Sequence, residues 1–438
     1  MECSIDSAGI AAAQASQPTV AETERFDGID LLTLGNAIAT PFYAYSANAI
    51  RQRIADLQQA LAGMDAVVCF AVKANPTLAI LQLMAKAGLG ADIVSSGELR
   101  RSLRAGIPAS RIVFSGVGKS DAEIAEALDA GVGRFNIESV DELAALQRIA
   151  HQRGAIARAA VRINPDVDAR THGKISTGKA ENKFGVSIDE ARQWFADADR
   201  RGNVRLDGLH MHIGSQILEL EPMRQALQRL AAFWRELTKD GHRIDSIDVG
   251  GGLGVVYRKE HDRPIELQGY VQAMKEALVG FEGRVILEPG RYLVAEAGVL
   301  LTRVIRTKGN DERRFLVVDA AMNDLLRPSL YDAWHDIDKV ASDEGGTRPR
   351  VAYDIVGPVC ETGDTLATAR MLPPCAPGDL LAVRGAGAYG ASMSSTYNSR
   401  PLIAEVLVDD GCYALIRRKQ SFEDMVAGEQ AATSWRAL

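Results

Sequence analysis

The chain has 438 residues, of which 47% are hydrophobic and 24% are charged, as is typical of globular proteins. A single hydrophobic core rarely grows to this length, so we expect two domains. The formal net charge of −7 argues against a nucleic-acid partner, because phosphate backbones are bound by basic surfaces.

The cysteines and the N-terminus bear on the compartment. The five cysteines include no CxxC motif and no paired spacing, which argues against a zinc site or a disulfide framework and favours reduced thiols. Glu2 and Asp6 stand where a signal peptide would carry positive charge. No apolar run reaches the length of a membrane span. We therefore expect a cytoplasmic protein without membrane contact, with a disordered tail over residues 1–24.

The first predicted elements are a strand, a helix and a second strand. Phe42–Ser46 (FYAYS) is strand-like, and Ile50 and Ile54 begin a series of apolar residues at helical spacing. Residues 67–72 form a short apolar run, rich in β-branched side chains, that is typical of a buried strand. This strand ends at Lys73.

From this strand onward, apolar strands alternate with helical stretches. Seven further strands are predicted at 91–94, 112–114, 134–137, 159–163, 209–212, 244–249 and 285–288. Eight βα units in about 225 residues have the size of a (β/α)₈ barrel, which we assign to residues 49–295. A doubly wound open sheet is the alternative, but no G-x-G-x-x-G follows the first strand.

Beyond about residue 295, short alternating strands with Gly, Pro and Asp turns replace the helices. Strands are predicted at 299–305, 314–318, 351–356, 380–384 and 402–408. We assign residues 296–438 to a mostly antiparallel β domain with an exposed loop at 343–348 and a terminal helix at 422–427. Residues 25–48, including the FYAYS strand, are expected to join this domain, so that the barrel is inserted between its parts.

Lys73 stands at the end of the first barrel strand, and active sites of such barrels lie at the C-terminal strand ends. Partial burial would lower the pKa of its amine, and a neutral amine is a nucleophile toward aldehydes. The alternative is a lysine whose stem packs on the core while its amine reaches water.

Two further strand ends fall on the same rim. Residues 250–252 (GGG) follow the seventh strand, where barrels often bind phosphate through backbone N–H groups, although a glycine triplet can also be a flexible turn. Glu288 ends the eighth strand. It either pairs with Arg291 or accepts a hydrogen bond from a ring nitrogen and keeps that nitrogen protonated.

His210 and His212 lie two residues apart on the sixth strand and should face the same side. A metal pair is one interpretation, but we find no further His or Asp cluster at the other strand ends to complete a shell, so no metal is predicted. We assign His210 to the core and His212 to packing on a planar cofactor.

A strand-end lysine, a glycine-rich phosphate site and a carboxylate are the groups that pyridoxal 5′-phosphate needs. The lysine forms a Schiff base, the glycine loop holds the phosphate, and the acid keeps the pyridinium an electron sink. The pattern predicts this cofactor.

Six segments resemble, in order and content, the motifs of the pyridoxal-phosphate-dependent decarboxylases of the alanine racemase fold. They are FAVKANP (70–76), HMHIGSQ (210–216), DVGGGLG (248–254), LEPGR (287–291), GPVCETGD (357–364) and GAGAYG (385–390). Segments 171–185 and 327–335 also resemble the branch that acts on meso-2,6-diaminopimelate. The resemblance spans about residues 26–425. It implies decarboxylation of that substrate to L-lysine and carbon dioxide, the last step of lysine biosynthesis, by a homodimer.

The resemblance also implies a role for each matching residue. Lys73 would carry the cofactor, His212 would stack on its ring, and Glu288 would pair with its nitrogen. The residues implied around the phosphate are Ser215, Gly251, Gly252, Gly290, Arg291 and Tyr389. Those implied for the substrate are Arg291, Arg327, Tyr331, Tyr389 and, from the partner subunit, Glu361. Cys360, also from the partner subunit, would donate a proton to the reacting carbon.

Some of these segments have structural interpretations as well. Cys360 lies beside a predicted strand and could be a buried, inert thiol. Arg327 and Tyr331, four residues apart, could form a surface pair. Segment 165–185 is polar, which is typical of a solvated loop, but it follows the fifth strand on the catalytic rim and is a lid candidate.

Three rival functions remain to be compared. A decarboxylase of ornithine, arginine or lysine would leave Arg327 and Tyr331 without a distal carboxylate to bind. A non-catalytic pyridoxal-phosphate carrier would lack the second domain. A metal-dependent barrel hydrolase built on His210 and His212 would need further ligands.

Overall fold

The computed structural model describes residues 25–169, 177, 183–197, 202–310, 312–340, 349–432 and 435. The predicted tail at 1–24 and the predicted loop at 343–348 lie outside these residues. The strands are β1 (Arg25–Phe26), β2 (Ile29–Asp30), β3 (Phe42–Ser46), β4 (Ala66–Ala71), β5 (Gly90–Ile93), β6 (Ile112–Phe114), β7 (Arg134–Ile137), β8 (Ala157–Arg162), β9 (Val204–His210), β10 (Ser246–Asp248), β11 (Arg284–Leu287), β12 (Gly298–Gly309), β13 (Arg314–Val318), β14 (Ile337–Val340), β15 (Val351–Val356), β16 (Thr365–Leu372), β17 (Leu380–Arg384), β18 (Ala404–Asp409) and β19 (Cys412–Arg417).

The helices are α1 (Leu31–Ala37), α2 (Ala47–Ala60), α3 (Leu78–Lys86), α4 (Ser96–Arg104), α5 (Asp121–Ala130), α6 (Val140–Gln152), α7 (Ile188–Ala196), α8 (Leu220–Lys239), α9 (Leu267–Ala277), α10 (Arg291–Val294), α11 (Arg327–Tyr331) and α12 (Phe422–Val426). Within the described ranges, none of these helices combines the length and the apolar character that a bilayer crossing requires.

Strands β4 to β11 close into a parallel barrel in the spatial order β10-β11-β4-β5-β6-β7-β8-β9. The predicted barrel is confirmed, and the doubly wound alternative is wrong, because β11 pairs with β4 and leaves no free sheet edge. The surrounding helices are amphipathic: α8, for example, buries Met223, Leu227 and Leu230 on one face. Burial of these faces against the strands holds the helices on the barrel.

The barrel interior has an apolar lower layer and a polar upper layer. Near the N-terminal strand ends, Cys69, Val113 and Ile286 form an apolar cluster. Toward the C-terminal ends, the buried polar side chains are Asp92, Ser115, Asn136, His210, Asp248 and Glu288. Polar groups are costly to bury unless they are paired, and ionisable groups gathered in this way are typical of functional sites.

The second domain is a nine-stranded sheet along the path β16-β15-β13-β12-β3-β18-β19, with β14 and β17 attached beside β12. Strand β3, the predicted FYAYS strand, pairs antiparallel with β12 and parallel with β18, so it joins this sheet as expected. Among the described strands of this sheet, the parallel pairs are β3 with β18 and β13 with β15. The mostly antiparallel character of the domain is confirmed.

Three strands of this domain were not predicted. Strands β14 and β16 carry charged or small residues between their apolar ones, and the side chains of β19 are exposed or half-buried, so none shows a clear alternation. The sixth barrel strand ends at His210, two residues earlier than predicted, which leaves His212 in the loop that follows. Lys73 lies just past β4, in the 3₁₀ turn Val72–Ala74.

Two of the sequence motifs join the domains. The Tyr389 N–H donates to the Ala74 carbonyl at 2.8 Å, and Asn75 Nδ2 donates to the Gly387 carbonyl at 3.1 Å. The FAVKANP and GAGAYG segments are therefore in contact. This contact sets the second domain against the lysine-bearing end of the barrel.

Candidate active site

A cavity of about 430 Å³ opens at the C-terminal end of the barrel, where the second domain meets it. This volume is in the range of cofactor and small-molecule sites. Ten predicted site residues line the cavity: Lys73, His212, Ser215, Gly252, Glu288, Gly290, Arg291, Arg327, Tyr331 and Tyr389. The other three predicted residues, Gly251, Cys360 and Glu361, do not line it.

Lys73 faces a buried carboxylate from the next strand. Its Nζ donates to Asp92 Oδ2 at 3.1 Å. Burial alone lowers the pKa of the ammonium group, but the Asp92 carboxylate, followed by Tyr389 and Glu288, outweighs burial, so this pKa lies above its ordinary value. The expectation of a lowered lysine pKa is therefore wrong for this chain, because β5 supplies a counter-ion that the sequence pattern did not reveal.

Glu288 is buried at the cavity floor and held by three side chains. Its Oε1 accepts hydrogen bonds from Ser115 Oγ at 3.3 Å and from Asn136 Nδ2 at 3.1 Å, and its Oε2 lies 3.3 Å from His210 Nε2. Burial raises the pKa of this carboxyl group, but the neighbouring His210 outweighs burial, so the pKa lies below its ordinary range. Glu288 is thus an ionised acceptor that faces the cavity.

His210, Asp248 and Glu288 come together on the adjacent strand ends β9, β10 and β11. One possible ligand atom from each lies within 4.8 Å of the others, so the prediction that no acidic cluster accompanies His210 is wrong. Burial, followed by Glu288, raises the pKa of Asp248 well above its usual value. One carboxyl group therefore keeps its proton beside an ionised neighbour, as expected for two acids in one buried site.

His212 lies at the cavity wall as a neutral ring. Its Nδ1 accepts the Gly251 N–H at 3.2 Å, which leaves Nε2 to carry the proton. Burial, and then the charges of Arg162 and Lys73, hold the pKa of His212 well below its usual value. A neutral planar ring in a fixed orientation is suited to packing on a planar ligand.

The glycine triplet forms a tight turn between strand ends. A Cβ on Gly250, Gly251 or Gly252 would stand only 2.2 to 2.4 Å from a backbone carbonyl oxygen, so no larger residue fits. The Gly251 N–H is already donated to His212, whereas Gly252 lines the cavity beside Ser215. The structure thus puts Gly252 at the cavity and gives Gly251 a role in orienting His212.

Two buried arginines lie around Tyr257 in the cavity wall. Arg291 Nη1 donates to the Tyr257 hydroxyl at 2.7 Å, and its Nη2 donates to Ser215 Oγ at 3.0 Å. The Arg327 guanidinium lies over the Tyr257 ring, 4.2 Å from its centroid. Only 5% of Arg327 is exposed, so the interpretation of Arg327 and Tyr331 as a surface pair is wrong. Two buried cations in one cavity favour a ligand with acidic groups at both positions.

His335 holds Arg327 in place from inside the second domain. The ring is fully buried; its Nδ1 lies 2.7 Å from the Arg384 carbonyl oxygen and its Nε2 lies 2.7 Å from Arg327 Nη1. The carbonyl accepts from Nδ1–H, so Nε2 is the acceptor for the guanidinium. Burial, followed by the charge of Arg327, lowers the pKa of His335 to about 3.

This arrangement predicts acid lability that His335→Gln reduces. The unfolded chain protonates this histidine near pH 6.5, whereas the folded chain does so only near 3, so the stability contribution is complete above pH 6.5 and is lost as the pH falls from there toward 3. In that window His335→Gln should lower the slope of unfolding free energy against pH by about 1.4 kcal/mol per pH unit. Urea unfolding between pH 4 and 6.5 measures this slope. The exposed His151→Gln is the matched control; equal slopes for wild type and His335→Gln would contradict the prediction.

Tyr389 belongs to the second domain and lines the cavity. Its φ of +56° is unusual for a bulky residue, and its N–H is fixed by the Ala74 carbonyl at 2.8 Å. The Arg291 guanidinium lies 4.7 Å from the centroid of its ring. Backbone strain of this kind persists only where surrounding contacts enforce it, and it is common at functional sites.

Cys360 and Glu361 lie on an exposed loop of the second domain. Asp364 anchors this loop, because its Oδ2 accepts the Val359 N–H at 2.6 Å, and the Tyr397 hydroxyl donates to Glu361 Oε1. Cys360 is exposed, so the interpretation of a buried, inert thiol is wrong. Within one chain neither Cys360 nor Glu361 reaches the cavity lining.

The described parts of the predicted lid contact the cavity. Thr177 and Phe184 line it; Thr177 Oγ1 donates to the His212 carbonyl at 2.8 Å, and the Phe184 ring lies 4.8 Å from the Arg162 guanidinium. Residues 170–176 and 178–182 of this segment lie outside the described residues. Lid closure therefore stays a prediction.

Three site residues, Asp92, Tyr257 and His335, were not predicted from the sequence. Asp92 could have been found, because it is a carboxylate inside the otherwise apolar strand β5 (GADI). A buried acid needs a partner, which makes such a residue a candidate for a site. Tyr257 follows the glycine turn, and His335 belongs to the other domain. No periodicity or spacing along the chain links either of them to the strand ends.

The cavity fits pyridoxal 5′-phosphate on the chemistry of its donors and acceptors. It offers an amine for the aldehyde, an ionised carboxylate for a protonated ring nitrogen, and a neutral flat side chain for the ring face. Arg291, the Ser215 hydroxyl and Gly252, whose Cβ would meet the Gly214 carbonyl oxygen at 2.4 Å, suit the phosphate. Arg327, which also lines the cavity, has no counterpart among the groups of this cofactor.

Comparison with known proteins agrees with the barrel and its cavity. The chain matches the family model of the pyridoxal-dependent decarboxylases, over their pyridoxal binding domain, at residues 47–295. Fold and site thus define a pyridoxal-dependent decarboxylase. The diaminopimelate decarboxylase of Zymomonas mobilis is 47% identical over 407 residues, which cover 92% of this chain and 96% of that relative. That of Pseudomonas aeruginosa is 48% identical over 403 residues, 92% of this chain and 96% of the relative.

A solved structure extends the similarity to three dimensions. The diaminopimelate decarboxylase of Helicobacter pylori, complexed with L-lysine, has a TM-score of 0.87 and 44% identity, over 91% of this chain and 99% of that one. The chain belongs to the diaminopimelate decarboxylase family.

Proposed function

We propose that this chain decarboxylates meso-2,6-diaminopimelate to L-lysine and carbon dioxide, with pyridoxal 5′-phosphate as cofactor and as a homodimer. The observation that carries the proposal is one cavity that combines Lys73 and Glu288 with two guanidinium groups, Arg291 and Arg327. The family membership and the L-lysine in the Helicobacter pylori structure support it. The cytoplasmic location expected from the sequence stays a prediction.

The residues that would hold the cofactor are Lys73, His212, Ser215, Gly252, Glu288, Gly290, Arg291 and Tyr389. When bound, pyridoxal phosphate supplies an aldehyde for an amine and a ring that accepts the electron pair left when carbon dioxide departs. Gly251, which does not line the cavity, would contribute through the N–H that it donates to His212. The carboxylate of Asp92 is the resting partner of the Lys73 ammonium.

Glu288 and His212 are each set in one protonation state before any ligand binds. Glu288 is ionised, because His210 outweighs the effect of burial on its pKa, and Ser115 and Asn136 hold its Oε1. The His212 ring is neutral, and its Nδ1 accepts a hydrogen bond from the Gly251 N–H. Such preorganisation removes the cost of rearranging dipoles and protons during the reaction.

The far end of the substrate is recognised by groups that the cofactor does not use. Diaminopimelate carries a second carboxylate and a second ammonium, and Arg327 and Tyr331 suit the carboxylate. Glu361 of the partner subunit would accept the ammonium. Ornithine, arginine and lysine lack the distal carboxylate, and their use would leave the buried Arg327 without an acidic partner. A buried polar group left in this way typically costs about 1–3 kcal/mol or more.

Decarboxylation replaces the leaving carboxylate with a proton on the same carbon. Cys360 of the partner subunit would deliver this proton from Sγ, because the thiol is exposed on the anchored loop and does not line the active-site cavity of its own chain. Tyr389 and Phe184 line the cavity and limit the access of water to the reacting carbon.

The experiment that tests the proposal is carbon dioxide release by the holoenzyme from meso-diaminopimelate, L-lysine, L-ornithine and L-arginine, each at the same concentration. We expect release from diaminopimelate alone at a substantial rate. Comparable kcat/KM for ornithine or lysine would replace the proposed substrate with a basic amino acid lacking the distal carboxylate.

Arg327→Gln tests recognition of the distal carboxylate. The substitution keeps a hydrogen-bond donor but removes the charge, so kcat/KM for diaminopimelate should fall by about 10- to 100-fold. The absorbance of bound cofactor should stay unchanged, because Arg327 is not among its proposed ligands. An unaltered kcat/KM, or loss of the cofactor absorbance, would show that the role of Arg327 is misassigned.

A further inference from the structure

A second and larger cavity, of about 930 Å³, lies at the opposite end of the barrel. It opens between the N-terminal ends of the strands, and neither the cofactor nor the substrate described above reaches it. Its wall includes apolar residues such as Trp234 and Phe281, but its rim is strongly charged. We call it the lower cavity.

The charges of the lower cavity do not balance. Five guanidinium groups and three carboxylates line it, an excess of two positive charges in a chain whose net charge is −7. The arginines are Arg111, Arg134, Arg158, Arg243 and Arg284, and the acids are Asp65, Asp245 and Glu282. A concave surface of one sign concentrates ions of the opposite sign.

The excess of positive charge belongs to one network of ion pairs around Asp207 and Asp245. Asp207 accepts from Arg134 Nη1 at 2.6 Å and from Arg158 Nε at 2.8 Å, and it lies 3.1 Å from Arg205 Nε. Asp245 is shared in the same way, by Arg158 at 3.4 Å, Arg205 at 2.9 Å and Arg243 at 2.6 Å. Two carboxylates therefore form ion pairs with four guanidinium groups.

One cation of this network is deeply buried. Arg134 is 6% exposed, and burial, which outweighs the attraction of Asp207, lowers the pKa of its guanidinium. Ser246, 2% exposed and also in the lining, has a hydroxyl without a hydrogen-bond partner among the described residues. Both Arg134 Nη1 and Ser246 Oγ lie within 2.8 Å of the point where a Cβ on Gly208 would stand, so they are neighbours at the cavity floor.

A network that served only to stabilise the barrel would gain most from neutrality. Arg134, the buried cation, is paired with Asp207. The surplus positive charge therefore rests on Arg158, Arg205 and Arg243, whose side chains are 44%, 52% and 83% exposed and can be reached by an anion from solution. We propose that the lower cavity is a binding site for a small dianion, bearing a phosphate or a pair of carboxylates, which restores neutrality and accepts from Arg158, Arg243 and the groups at the floor.

Isothermal titration of the holoenzyme tests this site, with inorganic phosphate and succinate as separate probes at constant ionic strength. The holoenzyme is used so that its own phosphate occupies the active-site cavity. We expect saturable binding of at least one probe; binding of phosphate alone would assign the site to phosphate, and binding of succinate alone to dicarboxylates.

Opposite shifts in two variants separate binding from a structural role. Arg158→Gln removes one positive charge and should weaken the binding by about tenfold or more. Asp245→Asn removes one negative charge and should strengthen it. Arg148→Gln, an exposed arginine paired with Asp121 outside the cavity, is the matched control and should leave the affinity unchanged.

Three results would overturn the proposal. They are no saturable binding of either probe, the same affinity in Arg158→Gln as in wild type, or loss of binding in Arg327→Gln alone, which would place the probe in the active-site cavity. If Arg158→Gln fails to fold, Asp245→Asn decides, since weaker binding in that variant contradicts the charge argument. Turnover of diaminopimelate by Arg158→Gln, Asp245→Asn and Arg148→Gln reports that the barrel of each is intact, and retained cofactor absorbance reports this for Arg327→Gln.

Discussion

Lys73→Ala should abolish turnover, with kcat reduced by roughly four orders of magnitude or more. The side chain supplies the only amine that lines the active-site cavity among the described residues, and its position depends on the 3₁₀ turn after β4 and on Asp92. Steady-state carbon dioxide release measures the loss. Borohydride treatment of the wild-type holoenzyme should also fix the cofactor covalently, and peptide mapping should recover the label at Lys73.

The matched control is Lys73→Arg, which keeps a cation beside Asp92 but cannot bond an aldehyde. Both variants should be inactive, whereas Lys73→Arg should keep more of the thermal stability, because Asp92 is buried and needs a positive partner. Recovery of the borohydride label at another lysine would disprove the assignment. So would substantial activity in Lys73→Arg.

Cys360→Ala should reduce kcat by about 10² to 10⁴, the usual contribution of one positioned acid or base, while the cofactor absorbance is retained. The expectation rests on an exposed thiol on a loop that Asp364 anchors, in a chain whose own cavity this loop does not reach. Cys412→Ala, which removes the other exposed cysteine among the described residues, is the matched control and should be fully active. Near-normal activity of Cys360→Ala would remove this residue from the mechanism.

A mixture of variants tests whether the thiol comes from the partner subunit. Lys73→Ala and Cys360→Ala should each have little activity alone, but a mixed dimer would contain one site with both residues intact. Random exchange of subunits at equal amounts should then restore about a quarter of wild-type activity, since half of the dimers are mixed and each has one working site. No recovery, with subunit exchange verified by mass, would show that Lys73 and Cys360 act within one chain or not together.

Most of the barrel was predictable because many of its strands are short segments with apolar residues that are buried on both faces. Residues 112–114 and 134–137 coincide with β6 and β7 as observed. The second domain was predicted less completely, because β16 and β19 carry polar or exposed residues whose pattern is set by the sheet around them. A half-exposed edge strand shows no regular alternation of apolar residues, so it cannot be predicted from such a pattern.

The site was predictable to the extent that it consists of strand ends. Lys73, Gly252 and Glu288 each follow a strand, and parallel strands in a barrel all end at one rim. The pKa of Lys73 was not predictable in this way. Whether this pKa is raised or lowered depends on Asp92, a single buried carboxylate on β5. At 3.1 Å from Lys73 Nζ, its attraction for the ammonium group outweighs the effect of desolvation.

The sequence by itself determined the barrel and the cofactor, and it predicted the strand-end residues that we propose to hold this cofactor, because these depend on local periodicity and on the order of strand ends. Only the tertiary structure decided how those residues are charged and held. Asp92 reverses the expected pKa shift of Lys73, His335 fixes Arg327 within the second domain, and Gly251 orients His212. These effects act over a few ångströms between residues that are 8 to 39 positions apart in the chain and share no helical or strand spacing. Electrostatic energies depend on the distance between the groups and on burial.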